Sequence, residues 1–132
     1  MGIEFKPIGY VQTDATKIPR NWKVSDVEGT LNIDASFLDG MRDIEPGQRL
    51  YVLFHFHKSP EFSSRYMRIT PPVHNQEIGL FSTHSPFRPN PIGLSILDVL
   101  GVEENVIRVK GLDMIDGTPI LDIKPETCSW GE

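Results

Sequence analysis

The sequence predicts a mainly β fold: a small β-barrel or strongly curled sheet of seven or eight short strands, with one or two short helical turns. Three observations lead to this prediction. Eleven glycines and eleven prolines in 132 residues interrupt the chain too often for long helices. Apolar and polar residues alternate over several short runs, as they do in half-buried strands. These runs recur along the whole chain between turn residues, which is typical of barrels and curled sheets.

Two strands and one helical turn are predicted in the first third of the chain. Residues 5–12 and 29–34 are apolar at alternate positions, which indicates half-buried strands. Residues 13–21 between them are predicted to form a loop, and the pattern of residues 22–26 is ambiguous. Residues 36–42 favour a short helical turn, and the side chains expected to face the core there are Ala35, Phe37, Leu38 and Met41.

The central third contains the most apolar segment. A Pro-Gly turn at 46–47 precedes residues 49–57, where nearly every side chain is apolar or aromatic, so we expect both faces of this strand to be covered. A loop follows, and residues 65–69 alternate as a further strand that ends before Pro71. Residues 78–82 predict another strand, which leads into a proline-rich loop.

The last third predicts three strands and a tight turn. Residues 94–100 lie between two glycines, and so short a segment favours a strand over a helix. Residues 106–110 alternate cleanly, and the Asp-Gly pair at 116–117 indicates a tight turn before the last strand at 119–123. Residues 128–130 are expected to form a tail.

Length and composition predict a single domain over residues 1–132, with no C-terminal extension. Eighteen acidic and 13 basic residues give a net charge of −5, which excludes a protein that coats nucleic acid through a broad basic face but allows a small local basic site. No apolar run approaches a bilayer-spanning length, and the N-terminus lacks a signal-peptide pattern. The single cysteine, Cys128, excludes an internal disulfide and fits a reducing cytosol, so we expect a cytoplasmic protein with no membrane partner.

A proline-rich loop from Gly79 to Gly93, which reads GLFSTHSPFRPNPIG, is the most distinctive stretch of the chain. Proline fixes its own φ and pushes the preceding residue towards extended geometry, so this loop is rigid. A rigid polar loop is where binding residues are often found. The alternative is an inter-strand connection whose side chains satisfy nearby carbonyls. The polar side chains that the loop presents are His84, Ser85, Arg88 and Asn90.

A pair of histidines on one predicted strand raises the question of a metal site. His55 and His57 are two residues apart, so they share one face of the strand and could bind a metal together with His74, His84 or a carboxylate. No cysteine pair and no established metal-binding spacing supports this reading. Lining of a pocket or hydrogen bonding in the core is therefore the favoured interpretation, and no metal is predicted.

Three aspartates around one predicted hairpin could act as an acid–base set: Asp113, Asp116 and Asp122. An aspartate before glycine more often serves a turn, which favours that role for Asp116. The chain contains neither a Gly-rich dinucleotide motif nor a phosphate-binding loop motif, so the common nucleotide-binding folds are not indicated.

Long stretches of the sequence resemble one known family. The blocks SPFRPNPIGLS (85–95) and DGTPILDIKP (116–125) are the most specific, and the matching segments cover nearly the whole chain in the family's order. The chain is similar to the TsaA/TrmO family of S-adenosylmethionine-dependent tRNA methyltransferases. The matching segments are 7–11, 18–20, 53–59, 79–95 and 113–125.

This resemblance implies a small β-barrel that forms a homodimer, with S-adenosylmethionine bound near the subunit interface. It also implies methylation of N6 of threonylcarbamoyladenosine at position 37 of tRNA. By motif position, the resemblance places cofactor contacts on Pro19, Arg20, Asn21, His57, Lys58, His84, Leu94, Asp116, Gly117, Thr118 and Pro119.

Three features depart from the family's usual pattern. His84 stands where the family usually has arginine, which is a permanent cation with five donors, whereas histidine is shorter and mostly neutral at pH 7. Glu126 stands where a tyrosine usually follows Pro125. Many bacterial members continue into a C-terminal domain, and we expect this chain to hold tRNA without one.

The chemistry that the resemblance implies needs orientation more than acid–base strength, because methyl transfer from a sulfonium is an in-line displacement. An acceptor for the N6 proton would assist it. The candidates for a catalytic role are Arg88, Asn90 and Asp122. Arg65, Arg68 and Arg88 could contact tRNA phosphates locally despite the net negative charge.

Two alternative functions stay open. The first is a methyltransferase of the same fold that acts on another, small-molecule substrate; His84, the acidic charge and the lack of a C-terminal domain favour considering it. The second is a non-catalytic module that binds S-adenosylmethionine.

Overall fold

Six antiparallel strands close into a barrel, and a two-stranded ribbon lies outside it. The computed structural model describes residues 2–71 and 75–127. The barrel order is β1-β2-β7-β6-β3-β8, and β4 pairs with β5. The strands are β1 (Gly9–Gln12), β2 (Glu28–Ile33), β3 (Arg49–His55), β4 (Arg68–Ile69), β5 (Ile78–Gly79), β6 (Ile92–Glu103), β7 (Val106–Lys110) and β8 (Pro119–Pro125). The predicted fold, a small β-barrel with short helical turns, is confirmed.

Short 3₁₀ helices provide the helical content of the described residues. One belongs to the β1–β2 loop, one to the β2–β3 connection and two to the long segment between β3 and β6. Their bounds are Trp22–Val24, Ala35–Met41, Ser64–Met67 and Leu80–Ser82. None of them is long and apolar enough to cross a bilayer.

The core lies inside the barrel because side chains alternate across each strand. On β3, Leu50, Val52 and Phe54 point inward and are almost fully buried, whereas Tyr51 and Leu53 face outward and are only half-buried. The expectation that both faces of 49–57 are covered is therefore only partly met, and the strand ends at His55. The other buried core side chains are Val11, Leu31, Ile33, Met41, Leu97, Val99, Ile107, Val109, Leu112, Met114 and Ile120.

The predicted helical turn after β2 is present, but most of its expected core contacts are absent. Ala35 and Phe37 are exposed, Leu38 is 45% exposed, and only Met41 is buried. The helix begins at Asp34, whose carboxylate accepts the backbone N–H of Ser36, and only its last residue reaches the barrel core. The expectation that Ala35, Phe37 and Leu38 face the core is wrong for this reason.

Two of the predicted strands lie outside the barrel and are much shorter than expected. Residues 64–67 form a 3₁₀ helix, so only Arg68–Ile69 remains of the strand predicted at 65–69. Residues 80–82 are also helical, which leaves Ile78–Gly79 of the strand predicted at 78–82. Among residues 2–71 and 75–127, these two pairs of residues form strand pairing only with each other. A ribbon with no further neighbour has little to stabilise a longer ladder.

β6 is longer than the predicted segment 94–100 because it pairs with β3 along its first half and with β7 along its second. A register shift between Val99 and Gly101 marks an irregularity on the β7 side. Near its start, β6 passes close to the core: a Cβ at Gly93 would overlap the ring of Phe54. The tail predicted at 128–130 lies outside the described residues.

Candidate functional site

A cleft of about 730 Å³ opens at one end of the barrel. Antiparallel pairing brings the end of β3 beside the starts of β6 and β8 at this end. Four stretches of chain complete the walls: the β1–β2 loop, the residues after β3, the proline-rich loop and the β7–β8 loop. The lining residues are Ile18, Pro19, Arg20, Asn21, Trp22, Phe54, His55, Phe56, His57, Lys58, Ser59, Pro60, Thr83, His84, Pro86, Phe87, Arg88, Ile92, Gly93, Leu94, Asp113, Met114, Ile115 and Thr118.

The charge of the cleft is opposite to that of the whole chain. Arg20, Lys58 and Arg88 line it, together with three histidines, whereas the net charge of the protein is −5. Among the described residues that line the cleft, Asp113 is the only carboxylate. A local basic site of this kind attracts an anionic ligand although the average surface is acidic.

Asp113 is fixed by two hydrogen bonds from different parts of the chain. The Ser95 hydroxyl on β6 donates to Oδ1 at 2.5 Å, and the backbone N–H of Trp22 donates to Oδ2 at 3.0 Å. Burial raises the pKa of Asp113 above its ordinary value of 3.8. The hydrogen bonds from Ser95 and Trp22 and the nearby charge of His84 act in the opposite direction, but desolvation is the larger effect.

The proline-rich loop is held from within by its own side chains. Arg88 Nη1 donates to the carbonyls of Thr83 and Ser85 at 3.0 and 3.1 Å, and the Ser85 hydroxyl accepts the N–H of Phe87. Arg88 therefore does what the inter-strand alternative expected, and it also lines the cleft. Asn90 is exposed and does not line the cleft.

The residues that the resemblance placed at the cofactor divide into two groups. Those that line the cleft are Pro19, Arg20, Asn21, His57, Lys58, His84, Leu94 and Thr118. Asp116, Gly117 and Pro119 do not line it. Asp116 accepts the backbone N–H of Thr13 at 3.0 Å, Gly117 takes a φ of 84° in the turn, and Pro119 begins β8.

The three candidates for a catalytic role also differ in whether they line the cleft. Arg88 lines the cleft, and Asn90 and Asp122 do not. Asp122 lies on β8, where its carboxylate forms an ion pair with Lys124 at 3.1 Å. Asp113, Asp116 and Asp122 each bond to different partners, so the structure does not assemble them as an acid–base set.

Histidines line the cleft without forming a metal cluster. His55 and His57 both face it, and the N–H of His57 donates to the carbonyl of His55 at 2.8 Å. Across residues 2–71 and 75–127, no three His, Cys, Asp or Glu side chains come together as a metal site. His74, a possible third ligand, lies outside the described residues.

Two arginines proposed for phosphate contact lie on the segment between β3 and β6, outside the cleft. The Arg65 guanidinium lies over the Tyr66 ring at 4.9 Å and donates to its hydroxyl at 2.8 Å. Arg68 forms an ion pair with Glu77 at 3.2 Å. Of the three arginines considered for phosphates, only Arg88 lines the cleft.

Sequence reasoning missed Trp22 and the role of Ser95. Trp22 follows directly after Asn21 but belongs to a segment, 22–26, that fits no periodic pattern. Ser95 contacts Asp113 from another strand, and no local pattern announces such a pair. The one available signal was position: Ser95 faces inward on a strand whose neighbouring inward residues are apolar.

The family to which the chain belongs follows from comparison with known proteins. Residues 10–129 match the sequence profile described as the tRNA-methyltransferase O N-terminal domain. The chain belongs to the TrmO family. A crystal structure of TrmO from Pseudomonas aeruginosa superposes with a TM-score of 0.71 at 29% identity, over 96% of this chain and 57% of that one.

Characterised relatives in the family carry two kinds of name. A protein of Archaeoglobus fulgidus named S-adenosyl-L-methionine-binding protein is 40% identical over 90% of this chain and 86% of its own length. The Escherichia coli protein named tRNA (adenine(37)-N6)-methyltransferase is 34% identical over 92% of this chain. The chain spans 57% of the length of that Escherichia coli protein.

We expect Arg88→Ala and Asn90→Ala to lower the unfolding free energy by different amounts, although both residues lie in one loop. Arg88→Ala leaves the carbonyls of Thr83 and Ser85 without their donor, and it should cost about 1–2 kcal/mol of unfolding free energy. Asn90 is exposed, so Asn90→Ala should stay within about 0.5 kcal/mol of the wild type. Urea unfolding curves measure both values. Equal losses in the two variants would contradict the anchoring role of Arg88.

The raised pKa of Asp113 fixes the direction in which its contribution to the unfolding free energy changes with pH. The folded state holds the proton more tightly than the unfolded state, so this group's contribution to stability falls as pH rises from about 3.8 through the folded pKa and is level above it. The unfolding free energy of wild type minus that of Asp113→Asn should therefore decrease over that window.

Asp34 provides a control of opposite sign for the same measurement. Hydrogen bonds from Ser36 lower its pKa below 3.8, so its contribution is present above that value and is lost as pH falls through the folded pKa. Wild type minus Asp34→Asn should therefore rise with pH, in urea titrations at each pH. A difference profile for Asp113 that rises as well would show that burial does not dominate its ionisation.

Proposed function

We propose that this protein is an S-adenosylmethionine-dependent methyltransferase that methylates N6 of adenosine 37 in tRNA, with threonylcarbamoyladenosine as the acceptor. The observation that carries the proposal is that the specific sequence block 85–95 supplies much of the lining of one basic cleft, which Thr118 of the second block, 116–125, also reaches. Relatives named tRNA (adenine(37)-N6)-methyltransferase in Escherichia coli and Rattus norvegicus support the reaction. Because tRNA is the substrate, the proposal includes a cytoplasmic location.

The cleft suits the proposed cofactor in size and chemistry. Its volume of about 730 Å³ falls within the usual range for sites of small molecules. Trp22, Phe56 and Phe87 offer aromatic faces on which an adenine ring can stack. Arg20 and Lys58 offer cations for the carboxylate of the methionine part.

The protein's contribution to the reaction is mainly orientation. When bound, S-adenosylmethionine supplies an electrophilic methyl group on a sulfonium. Displacement in line requires the acceptor amine to be held on the opposite side of that methyl group. A loop stiffened by Pro86 and Pro89, and tied by Arg88, is suited to hold an acceptor without further ordering cost.

Contact with tRNA rests in this proposal on the local basic lining. Arg20, Lys58 and Arg88 are close enough to one another to line one cleft, and such side chains bind phosphates without reading sequence. Arg65 adds a further exposed cation on the segment after β3. A footprint of this size predicts modest affinity that decreases with salt.

A homodimer forms part of the same proposal. Ile92, Leu94 and Ile115 line the cleft and are yet 38–43% exposed, and Phe81 is 74% exposed beside Arg88. Exposed apolar side chains that gather at a binding site are typical of an interaction surface. A second copy placed there would cover them and complete the walls of the cleft.

A second candidate function is supported by the names of the archaeal relatives. The proteins of Archaeoglobus fulgidus and Methanothermobacter thermautotrophicus that match nearly the whole chain are named for S-adenosylmethionine binding alone. A non-catalytic binding module, or a methyltransferase of a smaller substrate, would use the same cleft. Where the methyl group goes separates these candidates.

Transfer of label from methyl-labelled S-adenosylmethionine tests the proposed reaction. We expect label in tRNA, released as an N6-methylated nucleoside after digestion, and none in a small-molecule extract. Lys58→Ala should weaken cofactor binding by about tenfold, because a charged hydrogen bond is lost. Lys110→Ala removes the same charge from an exposed site on β7 and should bind normally.

The outcomes of that experiment are distinct. Binding without transfer to any acceptor would favour the binding module, and label in the extract alone would favour a small-molecule substrate. No binding at millimolar cofactor would refute the proposed function altogether.

Light scattering at micromolar concentration tests the dimer. We expect a dimer for the wild type. We expect Phe81→Ser to dissociate, because the proposed interface would lose the apolar contact of the Phe81 ring. Phe37→Ser is the matched control, since Phe37 is 48% exposed on the 3₁₀ helix after β2, whereas Phe81 lies beside Arg88 of the cleft. A wild-type monomer that still binds cofactor would contradict the placement of the interface.

A further inference from the structure

We propose that Asp113 is a positioning residue that fixes one wall of the cleft by joining the backbone of Trp22 to Ser95 in the barrel. The identity of the ligand used in part of the test rests on the proposed function. The position of the wall does not depend on that identity.

The three residues of this link come from three separate parts of the chain. Ser95 is fully buried on β6, where it pairs with Val52 of β3. Its hydroxyl donates to one oxygen of Asp113, and the other oxygen accepts the N–H of Trp22 at 3.0 Å. The carboxylate thus connects the rigid sheet to a loop residue 91 positions away in sequence.

The wall that Asp113 fixes belongs to a loop with little regular structure. Between β1 and β2, only Trp22–Val24 forms a 3₁₀ helix. The Asn21 side chain caps this helix by accepting the N–H of Lys23 at 2.8 Å. Pro19, Arg20 and Asn21 precede it directly and line the cleft. A shift of the Trp22 N–H would therefore move the adjoining cleft residues as well.

Other ties between the same two segments do not reach the cleft wall. The Thr13 N–H donates to Asp116 at the root of the loop. The Ser25 hydroxyl donates to the carbonyl of Leu112 at 2.5 Å, beyond the helix. Neither Thr13 nor Ser25 lines the cleft. The hydrogen bond from Trp22 to Asp113 is thus the contact made directly beside the cleft-lining residues 19–21.

The free-energy cost of withdrawing the Asp113 carboxylate from water indicates a functional role besides its contribution to folding. None of the salt bridges found among residues 2–71 and 75–127 involves Asp113, although it is largely withdrawn from water. Withdrawing a carboxylate even partly from water without an ion-pair partner costs free energy, and the same desolvation raises the pKa of the partly buried Asp113. Costs of this kind concentrate at functional sites.

The test compares three substitutions in a Trp130→Phe background, in which Trp22 is the only tryptophan. Asp113→Asn is isosteric: its amide oxygen can accept the Trp22 N–H, and its NH₂ can donate to Ser95. Asp113→Ala loses both bonds. Ser25→Ala is the matched control, because it removes a hydrogen bond between the same two segments, from the Ser25 hydroxyl to the carbonyl of Leu112. Quenching of Trp22 fluorescence by acrylamide is read without ligand, and the Kd of S-adenosylmethionine is measured by calorimetry.

Asp113→Ala should increase the quenching of Trp22 and weaken cofactor binding by on the order of tenfold. Asp113→Asn should keep both properties within about threefold of the wild type, since the two bonds are preserved. Ser25→Ala should melt earlier but leave quenching and Kd unchanged. If Asp113→Ala does not fold, Ser95→Ala, which frees the carboxylate from the barrel, should show the same two changes in smaller measure.

Two results would overturn the proposal. Loss of binding in Asp113→Asn with unchanged quenching would mean that the charge acts on the ligand directly. Equal changes in Ser25→Ala and Asp113→Ala would mean that general loop stiffness, not this link, places the wall. If the wild type binds no S-adenosylmethionine, the proposed function fails, and the quenching contrast between the alanine and asparagine variants still decides the positioning role.

Discussion

Closure of the antiparallel barrel is the constraint on which the cleft depends. Because β3 pairs with both β6 and β8 in antiparallel register, the end of β3 and the starts of the other two must share one end of the barrel. The chain enters or leaves the sheet at these points, so three connections meet there. The buried side chains that seal the barrel, such as Val52, Leu97 and Ile107, hold this arrangement without taking part in the cleft.

The cleft is electrostatically different from the protein that carries it. A net charge of −5 argues against wide contact with nucleic acid, but the lining gathers cations and histidines around one carboxylate. The charge of His84 lies close enough to Asp113 to lower the pKa of the Asp113 carboxyl.

How well the sequence predicted each element follows from how that element is stabilised. β7 was predicted in full from its alternation, and β3 and β8 to within a few residues, because each of these segments meets a barrel neighbour on each side. The strands predicted at 65–69 and 78–82 are short, because among the described residues β4 and β5 each have only the other as a strand neighbour. Motif position located Arg20, Lys58 and His84 at the cleft, yet it could not show that Asp116 turns towards Thr13 or that Ser95 meets Asp113. Those contacts depend on closure, which local pattern does not encode.

Two walls of the cleft are fixed by opposite chemistry. The proline-rich loop is stiff by its covalent structure, and Arg88 satisfies its carbonyls from within, so this wall needs little from the barrel. The β1–β2 loop has no such stiffness near Trp22 and depends on Asp113, a group whose burial is costly. A ligand held between them therefore meets one wall that is rigid in advance and one whose position depends on a single buried carboxylate. Changes at Asp113 should consequently alter the fit of the cleft more than changes of similar size in the proline-rich loop, because the wall formed by the β1–β2 loop is attached at one point directly behind the cleft.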